Sequence, residues 1–334
     1  MKHTFRLFFV AVVLALPSVG FAWNNSGHEL VAMIAYEQLD PTVQDAAFAL
    51  LQHHPHFETI LKEGLPANAD VKEWVFLHAA TWPDRVRPDP RHPELKGYHH
   101  GSWHYINYPY VLPSEASKLP ALDPNKAIGD GEILIRLAEA HKVIGDKSVN
   151  PAERAIMLAW LLHLVGDLHQ PLHATSLVTT RLPDGDKGGN SLLVRALPSS
   201  SPIHLHAFWD DALGHGESLP FLRNAASEIR ATFDIAGPGQ NRKEHKPETE
   251  LTELRTGRTY RQWAQESYNA AVEFVYLHGA LPFSCAPANY RDRVDPQSVP
   301  ILPSDYSINA RAEAQRRMAL AGCRIANELE QILK

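Results

Sequence analysis

Cysteine is almost absent from this chain: Cys285 and Cys323 are the only two. Two cysteines exclude the dense disulfide framework that holds small secreted domains together. The 334 residues supply a core large enough to stand without one. Long apolar runs are equally scarce. The one candidate, residues 7–16, falls short of the roughly 20 residues that a bilayer requires. It follows Lys2 and Arg6 and precedes Gly20-Phe21-Ala22, the three-part pattern of a secretory leader. Cleavage after Ala22 is therefore expected, with the mature protein secreted or periplasmic, unattached to membrane and starting at Trp23. In such an oxidising compartment a Cys285–Cys323 bridge is expected, tying a loop to the last helix. Positive charge is also in deficit. The net charge is −6, and loss of Lys2 and Arg6 with the leader takes it to −8. A protein that tracks duplex DNA carries a basic stripe, so any contact with nucleic acid here is local. Low-complexity linkers and internal repeats are missing too, which makes residues 1–22 a leader and 23–334 one domain.

Strand signals are few, and helical periodicity dominates. Apolar residues recur at helix spacing over 28–39, where Asp40-Pro41 breaks the pattern, and over 125–144. Another helix starts at Pro151 behind Asn150 as N-cap. It is apolar nearly all round, which places it at the centre of the fold. Further helices fit 205–213, 218–233, 259–277 and 308–333. Residues 191–196 form one strand of a short β-hairpin, and 83–113 and 281–303 are Pro-rich loops. The fold class is all-α, a single mainly helical domain with a short β-hairpin.

The chain has 19 histidines. His53, His54, His56, His92, His99 and His100 fit no pattern and are expected at the surface. Others keep company with aspartates. His163 and Asp167 stand four apart on the central helix and therefore share a face; His206 and Asp210 repeat the device. A carboxylate buried in apolar surroundings needs a partner, and zinc accepts both imidazole nitrogen and carboxylate oxygen. Pro171 ends or kinks the helix after His169-Gln170, so that His173 swings back. Two loop pieces add Asp84, after the rigid turn Trp82-Pro83, and His104, between Trp103 and Tyr105.

Taken in order, these pieces carry a resemblance. Trp23-Asn24-Asn25-Ser26-Gly27-His28, Trp82-Pro83-Asp84, Trp103-His104-Tyr105, the run from His163 to His173, Gly188-Gly189-Asn190 and His206-Ala207-Phe208-Trp209-Asp210 are similar to the zinc-dependent single-strand-specific nucleases, the nuclease/3′-nucleotidase family. The likeness spans residues 23–210 and implies a fold shared with zinc-dependent phospholipases C. It implies an endonuclease that hydrolyses single-stranded DNA and RNA, and 3′-nucleotides, to 5′-phosphates, with a zinc-activated hydroxide as nucleophile.

Residue by residue, the resemblance implies a cofactor of three Zn²⁺. Asp84, His104, His163 and Asp167 would hold the first ion. His173, His206 and Asp210 would hold the second. Trp23, through its α-amine and carbonyl, would hold the third with His28 and Asp167. Such an amine exists only after cleavage, and metal favours its deprotonated form. Three Zn²⁺ against three aspartates leave a focus of about +3 for a phosphate on an acidic protein. Asp84 would orient the attacking water, and Arg87 and Asn190 would contact the phosphate. Tyr105 would stack a base, with Asn107 beside it where relatives carry an acid. A monomer without stable protein partners is expected. Two alternatives stand: a phospholipase C, whose typical Glu replaces Asp at the position of Asp210, and a zinc-binding protein without catalysis.

Overall fold

The computed structural model describes residues 23–237, 249–287 and 294–334. The leader expected at 1–22 and part of the loop expected at 281–303 lie outside the described residues. Eleven helices in chain order are α1 (Asn25–Tyr36), α2 (Pro41–Leu51), α3 (Val71–Arg85), α4 (Ile133–Gly145), α5 (Pro151–His169), α6 (Pro171–Ala174), α7 (Leu205–Asp210), α8 (Leu219–Thr232), α9 (Glu253–Thr256), α10 (Tyr260–Ala270) and α11 (Tyr306–Ile332), among the described residues. Five short strands are β1 (Tyr108–Val111), β2 (Thr175–Val178), β3 (Leu192–Val194), β4 (Ile203–His204) and β5 (Ser284–Cys285). The mainly helical class is as expected.

Helix α5 is the axis of the molecule. Asn150 caps it by accepting the Ala152 N–H at 2.8 Å, and Pro151 opens it. Every residue from Met157 to His169 is buried, as its all-round apolar sequence demands. Helices α1, α2, α3, α4, α10 and α11 pack around it. No helix among the described residues is long and apolar enough to cross a membrane.

Several elements depart from the sequence pattern. Helix α4 begins at Ile133, not near 125, because Gly129 takes a left-handed turn (φ +83°) ahead of it. Helix α2 starts where a break was expected: Pro41 occupies its first turn, a position that needs no N–H. Helix α10 stops at Ala270 and gives way to a wider π turn, Ala271–Val275. The hairpin is present as antiparallel β3–β4, and β5, from the Pro-rich tail loop, pairs with the other edge of β3. A second, parallel pair, β1–β2, had no clear sequence signal; each strand has only four residues.

The expected disulfide is not formed in the structure. Cys285 lies on β5 opposite Leu192, whereas Cys323 is buried in the main core on α11. They belong to different parts of the structure.

Candidate metal centre

Five structural elements converge on one buried point. Helix α5 supplies His163 and Asp167 from one face, both fully buried. Helix α3 supplies Asp84, but not from a loop. The helix runs through Pro83, and Asp84 sits in its last turn. A proline this close to a helix end disturbs few hydrogen bonds. The Ala80 carbonyl, in the turn that Pro83 perturbs, accepts the Nδ1–H of His163 at 2.7 Å.

Helix α1 supplies His28 one turn beyond its cap, where Asn24 Oδ1 accepts the Gly27 N–H at 2.9 Å. The His28 ring stacks on His163 with centroids 3.9 Å apart. Gly166 makes this possible, since a Cβ there would stand 2.9 Å from His28 Nδ1. Trp23 is fully buried beside them, its indole N–H donating to the Gly166 carbonyl at 3.0 Å. The β1–β2 pair brings in two more imidazoles. Ile106 N–H donates to the His173 carbonyl at 2.9 Å, and His173 Nδ1 donates to the His104 carbonyl at 2.6 Å. Helix α7, leaving β4, contributes His206 and Asp210. Gly188 meets it closely: its carbonyl accepts from His206 Nδ1 at 2.6 Å.

These contacts decide tautomers. A carbonyl only accepts, so His163, His173 and His206 each carry a proton on Nδ1 and turn Nε2 inward. Asp167 stands at the middle. Its Oδ2 is 2.9 Å from His104 Nδ1 and 3.2 Å from His163 Nε2, and its Oδ1 is 3.3 Å from His28 Nε2. Asp84 Oδ1 lies 3.7 Å from His163 Nε2.

Three sets have donor atoms within 4.8 Å of one another: His173 with His206 and Asp210; His104 with His163 and Asp167; His28 with Asp84 and His163. The first set coincides with the expected second ion, and the second contains three of the four expected residues. His28 approaches Asp84 and His163 as well as Asp167. Asp84 Oδ2, Asp167 Oδ1, Asp210 Oδ2, His104 Nε2, His173 Nε2 and both His28 nitrogens are buried without a hydrogen-bond partner. Unsatisfied polar atoms buried together are costly unless something binds them. Imidazole nitrogens interleaved with carboxylate oxygens fit divalent cations.

Electrostatics follow from burial. Burial is the largest influence on His28 and, with the positive charge of His163, takes its pKa down to about 4. Burial pushes the Asp84 carboxyl upward, but His163, Arg87 and His104 together hold it below its ordinary range. Asp167 behaves alike and lies well below that range, against burial, through His163 and His173. Asp210 is the opposite case. Burial lifts it well above the usual carboxylate range, and the hydrogen bond from Gln170 only partly opposes this.

Around the centre, Arg87 Nη2 donates to Asp84 Oδ1 at 2.6 Å. Asn190 is half-buried and donates from its amide to the Lys187 carbonyl at 2.9 Å, within its own turn. Tyr105 donates its hydroxyl to Asp130 Oδ1 at 2.7 Å, and Asn107 adopts φ +55° directly after Ile106. Asp130 was not singled out from sequence; it lies between two glycines, in what reads as a plain turn. His54 and His56 were expected at the surface. His54 is instead buried with its ring edge-on to Trp82 at 4.6 Å, and His56 Nδ1 accepts the Trp82 indole N–H at 3.0 Å. Both steady the turn that carries Asp84. His53 and His92 are exposed, as expected, whereas His100 stacks on Trp103 at 4.0 Å.

Against known proteins, the family model described as S1/P1 nuclease matches residues 23–334. The chain is similar to Endonuclease 4 of Arabidopsis thaliana, 24% identical over 99% of this chain and 97% of that protein. It is also similar to Endonuclease 3 of the same plant, 21% identical over the same shares. Nuclease S1 of Aspergillus oryzae is 26% identical over 60% of this chain and 57% of that protein.

Proposed function

This chain belongs to the S1/P1 nuclease family, and from that premise we propose that it hydrolyses single-stranded DNA and RNA, and 3′-nucleotides, at a three-zinc centre. The observation that carries the reading is the buried convergence of imidazole and carboxylate atoms that have no hydrogen-bond partner. Asp84, His104, His163 and Asp167 would hold one ion, and His173, His206 and Asp210 a second. His28 and Asp167 would hold the third together with Trp23, once removal of residues 1–22 frees its α-amine. When bound, zinc lowers the pKa of water toward neutrality and screens the charge of a phosphodiester.

The residues of the chain do the rest. Asp84 is kept ionised by its cationic neighbours, so it can accept a hydrogen bond from the attacking water and orient it, as well as bind metal. Its hydrogen bond holds the Arg87 guanidinium at the rim of the centre, placed to meet phosphate oxygens as negative charge builds on them. Asn190 contacts the same phosphate from the opposite turn. Tyr105 stacks a base that has left its helical stack, which restricts the substrate to single strands. Asp130, bonded to the Tyr105 hydroxyl, and Asn107, two residues on in the chain, would hydrogen-bond the base edge. Cleavage leaves 5′-phosphates and 3′-hydroxyls. The site of action is outside the cytoplasm, following export.

The test uses protein beginning at Trp23 and matched single- and double-stranded DNA. Single-strand cleavage that EDTA abolishes and zinc restores is expected. Absence of cleavage by protein of verified zinc content would refute the nuclease reading and direct the assay to phospholipids.

A further inference from the structure

Gln170 lies at the joint between α5 and α6, fully buried. Its side-chain oxygen accepts the Leu172 N–H at 2.5 Å and thereby caps α6, the turn that carries His173. Its side-chain nitrogen donates to Asp210 Oδ1 at 2.8 Å. The second Asp210 oxygen, Oδ2, is buried without a hydrogen-bond partner and lies 3.5 Å from His206 Nε2. One planar amide thus fixes two residues that are 37 positions apart in sequence, His173 and Asp210.

We propose that Gln170 is a positioning residue for the metal set His173, His206 and Asp210: it occupies one Asp210 oxygen, turns the other toward the metal, and sets the turn that delivers His173. This rests on the zinc reading above. The amide orientation is determined by its two partners. Leu172 N–H requires an acceptor at one end, so the donor end must face Asp210. A carboxylate at residue 170 would leave Asp210 Oδ1 facing another acceptor, and an Asn would fall one methylene short. With Oδ1 committed to Gln170, Asp210 offers the metal a single oxygen.

The joint itself is anchored from behind. Ser267 Oγ donates to the Leu168 carbonyl at 2.5 Å, and Arg317, almost fully buried on α11, donates Nε–H to the His169 carbonyl at 3.2 Å. His169 Nε2 accepts from Arg324 Nη1 at 2.7 Å. The His169-Gln170 pair therefore divides its work: His169 ties the end of α5 to α11, and Gln170 faces the metal set.

The test compares the wild type, processed to Trp23, with Gln170→Met, which keeps the volume and removes both hydrogen bonds. Zinc content and competition with a chromophoric chelator are measured, together with melting of the metal-free proteins. The expected result is one zinc per chain weakened about 10–100-fold with the others little changed, beside only the modest drop in metal-free melting temperature that loss of the α6 cap brings. Unchanged affinity for every zinc would overturn the proposal. So would uniform weakening of all zinc with a lowered metal-free melting temperature, which marks a merely structural role. A wild type that takes up no zinc at all would instead overturn the metal reading, and this inference with it. Should Gln170→Met fail to fold, Gln170→Asn applies the same criteria while keeping both polar ends.

Discussion

His163, His173 and His206 each commit Nδ1 to a backbone carbonyl and turn Nε2 toward the centre. That division makes His163, His173 and His206 ready ligands before any metal arrives. Arg87 plays a different part, since its partner Asp84 also belongs to the centre. Arg87→Ala is expected to lower single-strand cleavage about 10²–10³-fold while zinc content is retained. Loss of zinc in that variant would assign Arg87 to building the centre instead. Away from the site, Glu29 of α1 is buried, and burial with the nearby Glu217 pushes its pKa up to about 8 against the pull of Arg85. His78, 3.8 Å away, is itself lowered by burial and gives little compensating charge. A carboxyl raised in the folded state stabilises most when protonated. Its contribution is complete below its ordinary value of 4.5 and is lost as pH rises through about 8. Denaturant unfolding from pH 5 to 9 checks this: Glu29→Gln is expected to flatten the decline, and an unchanged decline would assign it to other groups.

The helices and short strands decide which of these residues meet. Parallel pairing of β1 with β2 sets His104 beside His173, although 69 residues separate them. At the meeting of α1 and α5, Gly166 leaves room for His28 and Trp23. Gly188 is more constrained still, with φ +59° and a Cβ that would stand 2.3 Å from the Leu172 carbonyl oxygen. Gly188→Ala is expected to cost at least about 1–2 kcal/mol from the left-handed backbone alone. Thermal melting of the metal-free protein measures that cost, and a variant with wild-type melting would show that the turn relaxes freely. Prolines account for two of the helical segments that sequence reading missed. Pro41 in the first turn of α2 reads as a break yet needs no N–H there, and Pro83 in the last turn of α3 reads as a loop yet costs the helix only the bond to the Ala79 carbonyl, two residues before it ends.

For the molecule as a whole, metal and stability are linked. Stripping a centre of buried carboxylates and imidazoles leaves their desolvation uncompensated. Metal removal is expected to lower the melting temperature, and saturating zinc at about 1,000 times its Kd to restore about 4 kcal/mol. Calorimetry with and without chelator checks this; identical transitions would mean that the donors hold no metal. The thiols offer an independent check on the fold. Cys285 and Cys323 should both react with a thiol reagent after unfolding without reductant, whereas a pair that stays silent would restore the disulfide.

The amino-acid sequence by itself determined the helical class, the central position of α5, and the two His-x-x-x-Asp pairs. All three follow from local periodicity: residues four apart share a helix face, whatever the rest of the chain does. The order of motifs also sufficed to nominate the donors and their family. What only the tertiary structure decided is which faces meet. It set Asp84 at the end of a helix, buried His54 and placed the half-buried His56 against Trp82, turned Asp130 toward Tyr105, kept the cysteines apart and gave Gln170 its two partners. Those relations join residues distant in sequence through packing and hydrogen bonds, and no local period encodes them.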